Sequence, residues 1–205
     1  MNYVIGKLET TFRDKKGYFF IVLIMFCLGI SFGLYAVKYM GEADKNDLIS
    51  YFNSFADSIK NKPVNYTQLL VTTIKKNLIF IIPMVILSIT FIGFPFILII
   101  DLIKGFTLGY TFSFIVYAGS NKGLLLGVVA ILPQYIFYIP CFIALSVMCL
   151  KLSADRFKIR FFNIGKKSDI IPAELLNRAA IIIMLFSMGI LVETYVTPAI
   201  IKMVL

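Results

Sequence analysis

The chain has 205 residues, of which 60% are hydrophobic and only 15% are charged, and its formal net charge is +9. A soluble domain keeps about a quarter of its residues charged, so this composition excludes an ordinary soluble domain and indicates one integral membrane domain, residues 1–205. We attribute the positive charge to cytoplasmic loops, which carry excess lysine and arginine in membrane proteins, and not to nucleic-acid binding.

The first predicted span covers residues 18–37, since about 20 apolar residues are needed to cross the hydrocarbon of a bilayer. Residues 38–76 follow as a polar stretch, which we predict to be an outward loop. Inside it, apolar residues recur at helical spacing and predict an amphipathic helix. We name these four residues the outward stripe: Leu48, Phe52, Phe55 and Ile59. Two roles stay open for this stripe, namely packing on the bilayer or bundle and receiving a partner.

The next apolar region is predicted to hold three spans, residues 77–91, 94–117 and 124–150. A start of the first of these one or two turns earlier stays open. The sequence around Gly93 and Pro95 marks the turn between the first two, because proline lacks a backbone donor and disfavours helix in the residue before it. The third of these spans contains two further prolines, Pro133 and Pro140. They predict a kink or a break in that helix.

A basic segment, residues 151–178, precedes the fifth predicted span, residues 179–201. Its lysines and arginines are interleaved with aromatic residues, which is typical of a segment that contacts anionic lipid at a membrane surface. If the N-terminus is cytoplasmic, four crossings return this segment to the cytoplasm and leave residues 38–76 outside. The sequence thus predicts an all-α, polytopic bundle of about five transmembrane helices with an amphipathic extracytoplasmic segment.

The predicted spans contain three charged residues, Asp101, Lys104 and Glu193, and one glutamine, Gln134. An isolated charge at mid-membrane costs about 2.5–3.5 kcal/mol on insertion scales, so such groups usually pair or line a cavity. Asp101 and Lys104 are three residues apart on one helix face and are predicted to form an ion pair. Gln134 follows Pro133 and is expected to bond a backbone carbonyl that a proline has freed.

Two glycine pairs have the four-residue spacing that lets helix backbones approach closely in a membrane. They are Gly29 with Gly33 in the first predicted span, and Gly105 with Gly109 in the third. The second pair directly follows Lys104. We therefore predict that the helix face that carries Lys104 is also a helix–helix interface.

The sequence offers no chemistry that would make the protein an enzyme. It contains no histidine, which removes most zinc sites and every Ser-His or Cys-His pair. Cys27, Cys141 and Cys149 lie in apolar runs and are interpreted as small buried hydrophobic residues. Neither a phosphate-binding loop nor a nucleophile elbow is present. We predict no catalytic site, no metal and no cofactor.

Four motifs along the chain resemble those of the stage II sporulation protein M family of endospore-forming bacteria. In chain order they are Leu28-Gly-Ile-Ser-Phe-Gly33, Ile92-Gly-Phe-Pro95, Lys104-Gly-Phe-Thr-Leu-Gly109 and Leu132-Pro-Gln-Tyr-Ile-Phe-Tyr-Ile-Pro140. The broader superfamily looks similar but often has histidine at the position of Gln134 and glutamate at that of Tyr138. Both are replaced here, so a metal or proton role for that pair is not carried over.

The resemblance implies a non-enzymatic scaffold in the mother-cell membrane. Members of the family are understood to anchor two peptidoglycan-degrading enzymes, stage II sporulation proteins D and P, at the septal membrane during engulfment. The outward stripe is then the candidate docking surface. The alternative function is a small transporter or channel, in which Asp101, Lys104 and Glu193 line a path and two chains form a homodimer.

Overall fold

The computed structural model describes the backbone of residues 2–61, 65–119, 123–162 and 173–204. Side chains are described from residue 16 onwards, except for residues 55, 58–61, 162, 173–179 and 204 inside these helices. Every regular element in the described ranges is helical. This confirms the predicted all-α fold class.

The bundle contains seven numbered helices within the described ranges. They are α1 (Asn2–Lys38), α2 (Glu42–Asn61), α3 (Tyr66–Ile89), α4 (Gly93–Ala118), α5 (Gly123–Phe162), α6 (Ala173–Leu191) and α7 (Thr197–Val204), and a π-helical turn (Val192–Val196) joins α6 to α7. Five helical segments are long and apolar enough to cross a membrane by length and composition: Lys16–Lys38, Tyr66–Ile89, Gly93–Ala118, Gly123–Phe161 and Ala180–Met203. The chain is therefore a multi-pass membrane protein, as predicted.

The second span begins earlier than the sequence predicted. Helix α3 starts at Tyr66, and the side chain of Asn65 caps it by accepting a hydrogen bond from the backbone N–H of Gln68 at 3.2 Å. Residues 66–76, assigned above to the outward loop, are therefore helical and continue directly into the span. As a consequence, Asn77 lies near the middle of α3 and not at its end.

The turn between α3 and α4 falls where Gly93 predicted it. Thr90 closes α3 by donating its backbone N–H and its hydroxyl to the carbonyl of Leu87, at 3.1 and 2.8 Å. A Cβ atom at Gly93 would collide with that same carbonyl, so the turn requires glycine there. Ser153 of α5 donates to the carbonyl of Thr90 at 2.9 Å and fastens α5 to the turn.

Helix α5 runs without a break through both Pro133 and Pro140, so of the two predicted outcomes the break does not occur, while the kink stays a prediction. Each proline still removes one backbone hydrogen bond, and neighbouring groups have to satisfy the freed carbonyl inside a membrane. Gln134 was expected to do this. Instead, its buried Oε1 has no hydrogen-bond partner among the described residues, and no bond from its amide to a carbonyl is seen there.

The two glycine pairs meet in a single interface between α1 and α4, the most extensive helix pair of the described bundle. A Cβ atom at Gly29 or Gly33 would meet backbone atoms of α4, and at Gly29 it would lie 2.9 Å from the nitrogen of Phe106. A Cβ atom at Gly105 or Gly109 would meet backbone atoms of α1. The glycines therefore allow the two helix backbones to touch.

Helix α2 packs against α4 and α7 at one end of the bundle. Two members of the outward stripe, Leu48 and Phe52, are half-buried, and the ring of Phe52 meets Phe114 edge to face with centroids 6.2 Å apart. The side chains of Phe55 and Ile59 lie outside the described residues. Two roles were left open for the outward stripe, packing on the bilayer or bundle and receiving a partner. The positions of Leu48 and Phe52 favour packing on the bundle.

The predicted orientation can be tested with single cysteines at Asp57 on α2 and at Lys158 on α5, which are both exposed. The background would lack the native cysteines, Cys27, Cys141 and Cys149. With a cytoplasmic N-terminus, the cysteine at position 57 should react with a membrane-impermeant thiol reagent in intact cells. The one at position 158 should react only after lysis, because the positive-inside rule places it in the cytoplasm. Equal labelling of both in intact cells would contradict the five-span topology.

Candidate functional site: a polar cluster at the centre of the bundle

Lys104 is held inside the bundle by polar and aromatic groups of two other helices. Its side chain is only 6% exposed, and its Nζ donates to Oδ1 of Asn77 at 3.2 Å. The same ammonium lies 4.6 Å from the ring centroid of Phe80 and 5.8 Å from that of Phe142. Asn77 also donates to the carbonyl of Thr73 at 3.1 Å, which fixes its amide. Both the amide oxygen and the ring faces are suited to a cation.

Glu193 lies at the other end of the same group of side chains. The hydroxyl of Tyr138, which is 3% exposed, donates to Oε2 of Glu193 at 2.7 Å and lies close enough to Asn77 to interact with it. The opposite charges of Glu193 and Lys104 also act on each other. We name Asn77, Lys104, Tyr138 and Glu193 the polar cluster. It links α3, α4, α5 and the last span.

Two features of the last span bring Glu193 to Tyr138. Glu193 sits in the π-helical turn, in which the N–H of Thr197 bonds the carbonyl of Val192. Such turns occur mostly as single insertions in α-helices and are frequent at functional sites. Gly189 lies one turn earlier, and a Cβ atom there would come within 2.6 Å of the Tyr138 ring. Glycine therefore leaves the space in which that ring approaches the last span.

The polar cluster lies at mid-span. At a rise of 1.5 Å per residue, Lys104 is about 17 Å from the start of α4 and about 21 Å from its end. Asn77 and Glu193 are placed similarly within Tyr66–Ile89 and Ala180–Met203. Charges at this depth are the most costly in a bilayer. The hydrogen bonds of Lys104 to Asn77 and of Glu193 to Tyr138 reduce that cost.

Asp101 is not a member of the cluster, and the predicted ion pair with Lys104 is wrong. Asp101 is fully buried, its Oδ2 accepts from the hydroxyl of Ser146 at 2.5 Å, and its Oδ1 has no partner among the described residues. The two residues share a helix face, but Asp101 reaches α5 whereas Lys104 reaches Asn77 on α3. Neighbouring helices, and not helical spacing, decide the partners.

The three cysteines are free thiols. Cys141 and Cys149 are buried free thiols, as predicted, whereas Cys27 is exposed on α1 and the prediction of burial is wrong there. In the part of the chain that the structure describes, no group of three or more histidine, cysteine, aspartate or glutamate residues could hold a metal ion.

Sequence reasoning missed Asn77, Tyr138 and Ser146. Tyr138 carried a signal, because the broader superfamily that the chain resembles often has glutamate at that position. In this chain a carboxylate still lies beside this position, but it belongs to Glu193 on another span and accepts a hydrogen bond from Tyr138. Asn77 had no such signal, since it stood at the edge of a predicted span. Ser146 was one serine among the apolar residues of α5.

Comparison with known proteins gives a family match. The family model described as stage II sporulation protein M matches residues 22–198, a range that includes the whole polar cluster and all four packing glycines. No curated protein and no solved structure matches the chain.

Proposed function

This chain belongs to the stage II sporulation protein M family, and we propose that it is a non-enzymatic scaffold that anchors peptidoglycan-degrading enzymes at the septal membrane during engulfment. Family membership and the five apolar spans identify it as a sporulation membrane protein. The partners we propose are stage II sporulation proteins D and P. The proposed location is the mother-cell membrane, with the N-terminus in the cytoplasm.

The observation that supports a scaffold over a transporter is the way in which the central charges are held. Lys104 and Glu193 each bond a polar side chain of the same chain, at 3.2 and 2.7 Å, and the ammonium is covered by aromatic rings. A transport path instead needs charged groups that face a water-filled cavity. A pocket of about 570 Å³ between α1, α5 and α6 has apolar walls and contains no member of the polar cluster.

The outward helix α2 remains the proposed docking surface, but through a different residue from those of the outward stripe. Tyr51 and Phe52 both contact Phe114, but Phe52 is half-buried whereas Tyr51 is 68% exposed. Among the described side chains of α2, Tyr51 is therefore the aromatic one that a partner can reach. Tyrosine is enriched among the residues that dominate protein–protein binding. The half-buried Leu48 and Phe52 would then hold α2 in place, while Tyr51 makes the contact.

Affinity purification from sporulating cells tests both the scaffold role and the proposed docking surface on α2. Wild-type protein should co-purify with stage II sporulation proteins D and P. Tyr51→Glu should keep normal abundance but lose both enzymes, with affinity reduced by about 30-fold, since a binding hot spot is worth about 2 kcal/mol.

The matched control is Tyr39→Glu, because Tyr39 is also an exposed tyrosine but lies just after α1. It should retain both enzymes. If wild-type protein brought down neither enzyme, the scaffold proposal would fail. If wild-type protein retained both enzymes and the Tyr51 variant retained them equally well, the scaffold proposal would stand. In that case α2 would be excluded as the docking surface.

A further inference from the structure

A second site lies beneath α2, apart from the polar cluster. It is a pocket of about 320 Å³ to which α2, α3, α4, α5 and α7 all contribute. Most of its walls are apolar: Phe52, Phe114, Ile115, Leu126, Ala130 and Ile201. Leu126 lies about 5 Å from the start of α5 and Ile201 about 5 Å from the end of α7, so these apolar walls are near the membrane surface on the side of α2. Lys76 enters the pocket from deeper, about 15 Å from the start of α3, and its flexible stem can carry the ammonium toward that surface.

Three polar side chains also line this pocket, namely Tyr51, Lys76 and Thr111. Thr111 uses its hydroxyl within α4, where it donates to the carbonyl of Thr107 at 2.7 Å. Lys76 has no ion-pair or hydrogen-bond partner in the described parts of the chain. The pocket therefore combines apolar walls with one uncompensated cation.

The charges around Lys76 favour an anion. Lys76 belongs to the span Tyr66–Ile89, where a lone ammonium is costly even after its flexible stem carries it toward water. The charge of Lys76 also acts unfavourably on Lys104, and the carboxylate of Glu193 is already bonded to Tyr138. An anion beside Lys76 would balance this lone ammonium.

The size of the pocket limits what can fill it. One turn of an α-helix, about 10 Å wide and 5.4 Å high, occupies about 420 Å³, so a partner helix does not fit. A volume of about 320 Å³ is at the lower end of small-ligand sites. We propose that the pocket binds one anionic phospholipid of the leaflet on the side of α2, with its phosphate on Lys76 and part of an acyl chain between the apolar walls. This site does not depend on the proposed scaffold role.

Lipid binding by the purified full chain in detergent tests the proposal. Native mass spectrometry would compare phosphatidylglycerol with phosphatidylcholine of the same acyl chains. Wild-type protein should prefer phosphatidylglycerol, and Lys76→Gln should weaken that lipid about tenfold and leave phosphatidylcholine unchanged, because a charge-assisted hydrogen bond is worth about 1.5 kcal/mol. The matched control is Lys75→Gln, since Lys75 is also exposed but does not line the pocket.

Two further measurements separate the parts of the site. Ala130→Phe should weaken both lipids, because Ala130 is a small residue of the apolar wall and the larger ring would fill it. Inorganic phosphate at millimolar concentration should leave bound phosphatidylglycerol in place. Equal affinity of wild-type protein for the two lipids, or equal losses in the Lys75 and Lys76 variants, would overturn the proposal. Full displacement by phosphate alone would identify a free-anion site and overturn it as well.

Discussion

Replacing Gly105 with leucine is expected to prevent α1 and α4 from packing and to remove most of the protein from the membrane. A Cβ atom at this position would meet the carbonyl of Phe26 and lie 3.2 Å from the nitrogen of Ile30. Both are backbone atoms, so the helices can relieve the collision only by moving apart. Overpacking typically costs about 1–3 kcal/mol, and here contact along the main helix pair is lost as well. Membrane abundance and the thermal stability of the solubilised protein would measure the effect.

Gly17→Leu is the matched control for this substitution. Gly17 lies in the same helix α1, but a Cβ atom there would have no described atom of another residue within 4 Å. Leucine should therefore be tolerated, and it should favour the helix by up to about 1 kcal/mol. If the Gly105 and Gly17 variants were equally abundant and equally heat-stable, the two helices would not pack through these glycines.

The parts of the fold that follow from local sequence could be predicted. Each span has to be apolar by itself, so hydropathy finds five of them, and Gly93 fixes a turn because its surroundings leave no room for a Cβ atom. The spacing of Gly29 with Gly33 indicates close packing in the same way. In the structure these glycines lie against the stretch of α4 that carries Gly105 and Gly109, which is distant in the chain. No local sequence pattern specifies that contact.

The start of α3 shows how a local rule misled the prediction of the site. The predicted outward loop ends at Lys75 and Lys76, because charged residues normally mark the edge of a span. The structure continues the helix through them to Tyr66, which moves Asn77 from a helix end to mid-span. A lysine can occupy such a position when its stem is apolar and its ammonium finds water or an anion. The misplaced boundary concealed the residue that binds Lys104.

The wrong ion pair has a related cause. Spacing along a helix identifies which side chains share a face, and on that basis Asp101 was the nearest partner for Lys104. In the folded bundle, Ser146 and Asn77 approach the two groups from α5 and α3 and bond them separately. Polar partners inside a membrane come from whichever helix packs alongside, and that arrangement depends on the whole fold.

Lys104→Met is expected to have the second large effect, a loss of about 3 kcal/mol in stability. The change removes the donor that satisfies Asn77 and the positive charge that balances Glu193 near the middle of the membrane. Methionine keeps a similar apolar stem, so the ring contacts with Phe80 and Phe142 are largely retained. Thermal unfolding of the purified protein and its abundance in the membrane would both report this loss.

The double variant Lys104→Met with Glu193→Gln should recover part of that stability. It removes both charges together, and the glutamine can still accept the hydrogen bond from Tyr138. The coupling between the two positions should be on the order of 1 kcal/mol, as for residues that share one network. The control is Lys104→Met with Asp101→Asn, whose effects should simply add, because Asp101 bonds Ser146 and not the cluster.

The pattern of rescue shows whether Glu193 or Asp101 balances the charge of Lys104. Rescue by Asp101→Asn and none by Glu193→Gln would mean that Asp101 and Lys104 form a direct pair and that the polar cluster does not balance Lys104.

Rescue by Glu193→Gln also allows function to be separated from folding. If the neutral double variant is stable and supports engulfment, the two charges only stabilise the helix bundle, as expected for a scaffold. A stable double variant that retains both enzymes yet blocks engulfment would instead favour transport, since only a transport path needs the charges themselves.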